Sequence, residues 1–459
     1  MTGHQTIIIL GMLIVCPLAL SGLFRPFTGL LVLVTLYFVQ PAELLPALQP
    51  FHIERTYAIA LMVVFFLRRG SAPKRPILNP ILRAGIALLG VAALSVPFAI
   101  WKGGALETTI NLAKLITYLF LLSTLIDTRD RMRKVLWLLA GILAWMAGTS
   151  LFSYLQGNFL FTQGIERAEG ETSVVGGPNE LAGIILLLLP LVFALWRCSE
   201  RIVARFFLLG LMLLALAALI VTGSRAALIA LSLMAVFYIF HSRHKVASLT
   251  LCVAATVVFW LAMPQQYQTR YMTPVHFAQG ARLDPSNELR VRIWKAGWQM
   301  FLDHPILGVG AGQFGTAYGT VYSGVRHGAW MNPHSLFFEV IAELGLVGLV
   351  AAGYFLWQLA KASFFLLGFH SDKPEGLEYQ LALAFGAVLL GIAFASIFGH
   401  TLYRPFWYFS GGLVAASCQL AVTAGHGQTA PANLDHERRQ SLEGRLGLAV
   451  TRRLAEGRR

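Results

Sequence analysis

The sequence predicts an all-α polytopic membrane protein, and three observations support this fold class. Only 13% of the 459 residues are charged and 56% are hydrophobic, whereas soluble chains carry about 25% charged residues. Apolar runs recur along the chain, and Lys and Arg cluster in alternate connections between them. So few charged side chains could not cover the roughly three soluble domains that this length would otherwise suggest.

The apolar runs predict 12, possibly 13, transmembrane helices, because about 20 apolar residues are needed to cross the hydrocarbon core. The first three runs are short and are expected to tilt, kink or fail to cross. The predicted runs are 6–20, 27–40, 56–67, 81–100, 106–126, 135–154, 180–196, 206–222, 226–240, 246–263, 336–359, 379–398 and 406–424.

Basic clusters predict the orientation of these helices, since cytoplasmic loops collect Lys and Arg. A single transmembrane domain over 1–424 is then followed by a basic cytoplasmic tail over 425–459. Two longer segments, 156–179 and 264–335, are placed on the opposite, outer side, and a helix is expected over 287–303 with Ser286 or Asn287 as N-cap. The net charge of +14 is attributed to the cytoplasmic loops, so we expect no nucleic-acid partner.

Arg225 and two arginines of the outer segment are candidate anion ligands. Arg225 lies between two apolar runs, where it could snorkel to the interface or bind an anion at the mouth of the bundle. Arg290 and Trp294 share a helical face, with Arg292 on another. Interfacial packing would explain this pattern, and so would a diphosphate, which the guanidinium fork matches in geometry.

His334 stands just before an apolar run and is a candidate general base. The simpler interpretation is a helix cap, but a neutral imidazole can accept a proton near pH 7. Glu339 and Glu343 follow at a spacing that places them on one helical face. Buried carboxylates there need partners, and an arginine of the outer loop is one candidate. Arg326 and Arg404 are further outer arginines that could approach the same site.

The sequence offers little support for a metal or another cofactor. It contains no Asp-x-Asp pair, and Glu166, Glu169 and Glu171 are interpreted as solvated loop residues. The glycines 308, 310 and 312 are expected to form a turn, because no strand precedes them. The four cysteines lie within or beside apolar runs and suggest neither a disulfide framework nor a metal site.

Four segments in this order resemble the O-antigen ligase and O-antigen polymerase superfamily of bacterial inner membranes. They are Pro178-Asn179-Glu180-Leu181-Ala182, Gly223-Ser224-Arg225, Arg290 to Trp294 with His304-Pro305-Ile306-Leu307-Gly308-Val309-Gly310, and His334-Ser335 with Gly345-Leu346-Val347-Gly348. The resemblance covers roughly residues 175–350. It does not separate ligases from polymerases.

This resemblance implies a GT-C-like membrane glycosyltransferase with its active site facing the periplasm. Such an enzyme transfers a glycan from undecaprenyl diphosphate to an acceptor hydroxyl, without a metal or other cofactor and with inversion. For a ligase, the acceptor is the lipid A core of lipopolysaccharide. The expected roles are general base for His334 and stabilisation of the diphosphate for Arg225 and Arg290, with Arg292 as a possible third ligand.

Two groups of alternatives stay open at this point. Repeat-unit polymerases and protein O-glycosylation ligases share the same motifs. A transporter of lipid-linked glycans would instead place charged residues at the bilayer midplane and contain paired broken helices. Lys114 is the one charged exception within the predicted midspan runs, and it is expected to snorkel or to pair with Glu107.

Overall fold

The computed structural model describes Pro17 and residues 19–68, 79–162, 164–278, 285–324, 330–369 and 376–426. Residues 19–24 are helical. The remaining helices are α1 (Pro26–Val39), α2 (Pro41–Leu44), α3 (Ile53–Arg68), α4 (Pro80–Ser95), α5 (Lys102–Leu125), α6 (Arg129–Leu155), α7 (Pro178–Arg197), α8 (Ile202–Val221), α9 (Arg225–His241), α10 (Lys245–Ala262), α11 (Gln265–Ala278), α12 (Pro285–Asp303), α13 (Phe314–Ala317), α14 (Leu336–Phe369), α15 (Leu377–Ile397) and α16 (Pro405–His426), with strands β1 (Leu160–Thr162) and β2 (Ile165–Arg167). Short 3-10 turns cover Pro46–Phe51 and Val96–Phe98, and a π turn covers Tyr318–Tyr322.

Where they are described, the helices match the predicted apolar runs closely, except that α14 extends to Phe369 beyond the predicted end at 359. The predicted run 6–20 lies largely outside the described residues. The chain is a multi-pass, all-α membrane protein. Eight helices in the described part of the chain are long and apolar enough to cross a bilayer. Three shorter apolar helices accompany them: Pro26–Val39, Arg225–His241 and Lys245–Leu261. The count of 12 or 13 spans stays a prediction, and the basic tail from residue 427 onward lies outside the described residues.

The core of the bundle is built by α5, α7, α14, α15 and α16, which pack on one another and on α4 and α9. Aromatic rings fill its centre, where Tyr118 stacks on Phe409 at a centroid distance of 5.1 Å. One charged pair lies beside this core: the Lys114 ammonium is 3.9 Å from a carboxylate oxygen of Glu54. The expected pairing of Lys114 with Glu107 is therefore wrong, since α3 packs closer to Lys114 than the sequence neighbour does.

The two outer segments are more structured than predicted. Residues 160–167 form an antiparallel hairpin, with Thr162 opposite Ile165, and residues 265–278 form α11. Glu166, Glu169 and Glu171 are half-buried, so their interpretation as solvated loop residues is wrong. Helix α12 begins at Pro285 and ends at Asp303. Ser286 and Asn287 therefore lie inside the helix, and the predicted N-cap at either residue is wrong, because the helix begins earlier than the apolar pattern.

Helix α14 is broken at Gly345, where φ is 62° and ψ is −156°. The break lets backbone groups of α14 pair with the segment that follows α12. The Val309 and Gly310 amides donate to the Ala342 and Glu343 carbonyls at 2.8 and 3.0 Å, and the Leu346 amide donates to the Pro305 carbonyl at 2.9 Å. These bonds join the end of α12 to the helix that begins directly after His334.

Candidate active site

Helix α12 holds the His334 turn in place. The indole N–H of Trp294 donates to the Pro333 carbonyl at 3.0 Å, and its ring stacks on Phe338 at a centroid distance of 5.5 Å. His334 itself has φ 47°, a left-handed conformation that is uncommon for a non-glycine residue. Arg290 lies one turn before Trp294, and its charge acts on the half-buried His334.

The imidazole of His334 is suited to accept a proton. Burial lowers its pKa below the usual value of 6.5, the Arg290 charge lowers it further, and the Glu180 carboxylate opposes them. A histidine with a lowered pKa is uncharged at neutral pH and can therefore act as a base.

A second histidine, His400, faces His334 and belongs to a short charged network. The two imidazole rings lie edge to face, 5.7 Å apart. Arg404 donates to Glu180 at 3.1 Å and lies 3.4 Å from His400 Nε2. Burial and Arg404 lower the pKa of His400 to about 4. His400 is thus uncharged at neutral pH.

Three further arginines extend this network along the Thr222–Gly223 turn. The Arg167 Nε–H donates to the Thr222 carbonyl at 2.6 Å, and the Arg270 Nε–H donates to the Gly223 carbonyl at 2.7 Å. Burial, Arg270 and Arg225 lower the pKa of Arg167 to about 10, and Glu180 opposes them. Arg225 and Arg270 therefore both lie within electrostatic reach of Arg167, and Glu180 acts on Arg167 and on the two histidines.

The geometry of the turn explains the Gly-Ser-Arg sequence. Gly223 has φ 60°, and a Cβ atom there would lie 2.6 Å from the Ile165 side chain of the hairpin. Only glycine fits this conformation and this space. The turn thus brings Arg225, at the first position of α9, next to the strand that carries Arg167.

The structure brings together four of the predicted residues, His334, Arg225, Arg290 and Arg404. Arg292 is exposed on α12. Arg326 lies outside the described residues. The roles assigned to these residues from the sequence stay predictions.

Glu343, the remaining candidate, is buried and contacts backbone amides. Its carboxylate accepts from the Gly312 and Phe314 amides at 2.7 and 3.2 Å. Glu339, one turn earlier, accepts from the Leu402 amide at 2.9 Å. Glu343 thus holds the glycine turn, residues 308–314, in place, and Glu339 holds the segment before α16. The sequence had instead suggested an outer arginine as a partner for these carboxylates.

Sequence reasoning missed Arg167, Arg270, Glu180 and His400 as members of the site. Arg270 carries a readable signal, because Tyr267, Arg270 and Tyr271 have helical spacing in a segment assigned to a loop. Glu180 lies inside a quoted motif but was given no role. Arg167 and His400 become visible only through tertiary packing, since neither stands in a distinctive pattern.

A cavity of about 270 Å³ opens beside the His334 turn. It is lined by Trp101 and Trp330, which are 53% and 63% exposed, and by polar residues that include Gln313 and Asn332. Asn332 precedes His334 by two residues. Exposed indole rings beside amide groups suit a hydroxyl-rich ligand. Within the described residues, no group of three His, Cys, Asp or Glu side chains could hold a metal ion.

Comparison with known proteins agrees with the resemblance. Residues 210–353, about a third of the chain, match the family model for O-antigen ligase. The predicted resemblance to the O-antigen ligase superfamily is thereby confirmed over this part. The matched range includes Arg225, Arg270, Arg290 and His334. No curated protein matches the chain.

Proposed function

We propose that this membrane protein, which carries an O-antigen ligase domain over residues 210–353, is an inverting and metal-independent glycosyltransferase. It transfers a glycan from undecaprenyl diphosphate to a sugar hydroxyl of the lipid A core in lipopolysaccharide synthesis. It acts in the bacterial inner membrane with its site facing the periplasm. The observation that carries the proposal is one uncharged, half-buried histidine that adjoins a network of arginines.

The arginines support binding of a diphosphate. Arg225 and Arg290 are the residues to which we assign contacts with the diphosphate. Arg167 on β2 and Arg270 on α11 supply further positive charge at fixed positions. Positive groups that are held in place stabilise charge that develops on a leaving group, without reorganising during the reaction. Planar guanidinium groups can also bind phosphate oxygens in pairs. Arg292 would serve at the rim as a third ligand.

His334 supports activation of the acceptor. An imidazole nitrogen takes the proton of the acceptor hydroxyl as its oxygen bonds to the anomeric carbon of the donor. The bond from that carbon to the diphosphate breaks, and its electron pair leaves with the diphosphate oxygen. Attack opposite to the leaving group inverts the anomeric centre. His400 acts as a positioning residue for His334, because it faces the His334 ring. Glu180 and Arg404 support it through their contacts with His400.

The cavity lined by Trp101 and Trp330 supports a sugar acceptor rather than an apolar one. Its amide and hydroxyl groups can bond sugar hydroxyls, and its indole rings can pack on sugar faces. The cavity lies beside the turn that carries His334. An acceptor held there would approach the base from the outer end of α5.

Transfer by the purified protein tests this proposal. A polyprenyl-diphosphate glycan is supplied as donor, with a chelator, and two acceptors are compared: lipid A core and a second donor molecule. Transfer to the core is the expected result. Chain extension would make the protein a polymerase with the same site. Donor binding without transfer to either would contradict the ligase assignment and favour a protein acceptor or transport.

A further inference from the structure

A second basic cavity lies at the opposite end of the helices that carry the His334 site. Its volume is about 490 Å³, and its charged lining consists of Arg129, Arg133, Arg197, Arg205, Glu200 and Glu378. Four cations against two carboxylates leave the lining positive. Two basic segments of the sequence, 129–134 and 197–205, meet in this cavity. The preference of basic residues for the cytoplasmic side explains why each segment is basic, but it does not explain why their side chains line one cavity.

The two sites occupy opposite ends of the same helices. Helix α7 begins beside Glu180 and ends at Arg197, and α15 begins beside Glu378 and ends shortly before His400. At 1.5 Å per residue, helices of this length span about 30 Å, which is the thickness of a bilayer core. The second cavity therefore lies at the other membrane surface and is separate from the proposed reaction.

One arginine of this cavity pairs with a carboxylate, and the Arg205 guanidinium lies over the Trp196 ring, 5.5 Å from its centroid. Arg129 contacts the buried carboxylate of Glu378. Among the described residues, no carboxylate lies within ion-pair distance of Arg133, Arg197 or Arg205. Burial and Glu378 raise the pKa of the Cys198 thiol, whereas Arg133 and Arg197 lower it, so charged groups from three helix ends surround one point.

The surface next to the cavity is suited to acyl chains. Val203 and Phe206 at the start of α8 are 77% and 68% exposed, and Phe207 stacks on Trp137 of α6 at a centroid distance of 6.4 Å. Apolar side chains exposed in this way on a membrane helix face lipid. A ligand with a phosphate in the cavity could thus extend an apolar tail along α8.

From this combination we infer that the cavity between α6, α7, α8 and α15 binds the phosphate of an anionic membrane lipid. Basic pockets between transmembrane helices commonly hold such head groups. The inference does not depend on the proposed transferase activity. A soluble phosphate ester would present the same anion, but it would leave the neighbouring apolar surface of α8 unused.

Lipid titration of the purified full-length protein in detergent, followed by native mass spectrometry, tests the inference. The probes are phosphatidylglycerol, phosphatidylcholine and glycerol 3-phosphate. The cavity variant is Arg133→Gln with Arg205→Gln. The matched control is Lys134→Gln with Arg201→Gln, which removes two charges from the same two segments at residues that do not line the cavity. Thermal unfolding of both variants checks that they are folded.

We expect phosphatidylglycerol to bind more tightly than phosphatidylcholine. The cavity variant should bind it about 25-fold more weakly, since each arginine near a membrane surface contributes about fivefold. The control should stay within about twofold of the native protein. Equal losses in both variants, or no loss in the cavity variant, would overturn the inference. Glycerol 3-phosphate that competes as well as the lipid would overturn the lipid assignment in favour of a soluble ester.

Discussion

The two ends of the bundle both carry arginines, but they hold them in different ways. At the His334 end, Arg167 and Arg270 are only 4% and 9% exposed, and each donates to a backbone carbonyl of one turn. At the other end, Arg133 and Arg205 are exposed to solvent. Buried arginines with backbone partners have fixed positions, whereas exposed ones adapt to their ligand. The first arrangement suits a reaction and the second suits reversible binding.

The largest effect that this comparison predicts is the loss of glycan transfer in His334→Ala. A general base typically contributes about 10²–10⁴-fold to a rate, and the variant should lose transfer by a factor in that range while remaining folded and inserted in the membrane. Initial rates with a polyprenyl-diphosphate donor measure the effect. His304→Ala is the control, because this exposed histidine follows α12. Equal rates for His334→Ala and the native protein would remove His334 as the base.

The next effect is expected for Arg290→Gln, which removes a fixed positive charge beside His334. Loss of one group that stabilises developing charge costs about 10²–10³-fold in turnover. Lys295→Gln on the exposed side of α12 should keep near-native turnover. Arg292→Gln should fall between these two. If the three variants lose turnover equally, the charge of the whole helix matters rather than the placement of Arg290.

The pH profile of transfer tests the electrostatics around His334. The base must be uncharged, so transfer should rise with pH through the pKa of His334, which lies below 6.5. Two cations, Arg290 and Arg404, and one carboxylate, Glu180, act on the pair His334 and His400. His400 itself is uncharged at neutral pH. Removing Arg290 should raise the pKa and move the acid limb to higher pH, whereas Glu180→Gln should move it to lower pH. Shifts in the same direction would contradict this account.

A smaller effect, on stability, is expected for Glu343→Ala. The change leaves the amides of Gly312 and Phe314 without their acceptor. Gly312 is exposed, but Phe314 is buried, and a buried unpaired group costs about 1–3 kcal/mol. The midpoint of thermal unfolding should fall, while Glu288→Ala on the exposed side of α12 should not change it. An unchanged midpoint for Glu343→Ala would show that the glycine turn is held by other contacts.

The smallest effect belongs to the exposed end of the bundle. Lys134 pairs with Asp130 at 2.7 Å, and both side chains are more than half exposed. Exposed pairs one helical turn apart contribute only about 0.3–0.5 kcal/mol. Lys134→Gln should therefore leave the unfolding midpoint nearly unchanged, and a large decrease would show that this end is more rigid than its exposure suggests.

The membrane helices could be predicted from the sequence because the bilayer imposes one length and one composition on each span. The predicted run 180–196 and the observed helix Pro178–Arg197 differ by two residues at one end. The outer segments follow no such constraint, and the hairpin at 160–167 and helix α11 were missed. Their shape depends on packing against the Thr222–Gly223 turn, which a local pattern does not record.

The candidate site was predictable only where a motif marks it. His334, Arg225 and Arg290 stand in recognisable segments, so a resemblance could identify them. Arg167 and His400 enter the site from elements far apart in the chain, on β2 and just before α16. Lys114 illustrates the same limit, because its partner Glu54 lies on another helix, whereas sequence reasoning looked first to its own helix.

The break at Gly345 determines which parts of the site can move together. Its backbone bonds tie residues 305–310 to α14, and Trp294 ties α12 to the turn that carries His334. The base and Arg290 consequently belong to one mechanical unit. Arg167 and Arg270 belong to another, which is organised around the Thr222–Gly223 turn. If the proposed transfer takes place, His334 should therefore stay in register with Arg290 from one turnover to the next, because one set of contacts holds both.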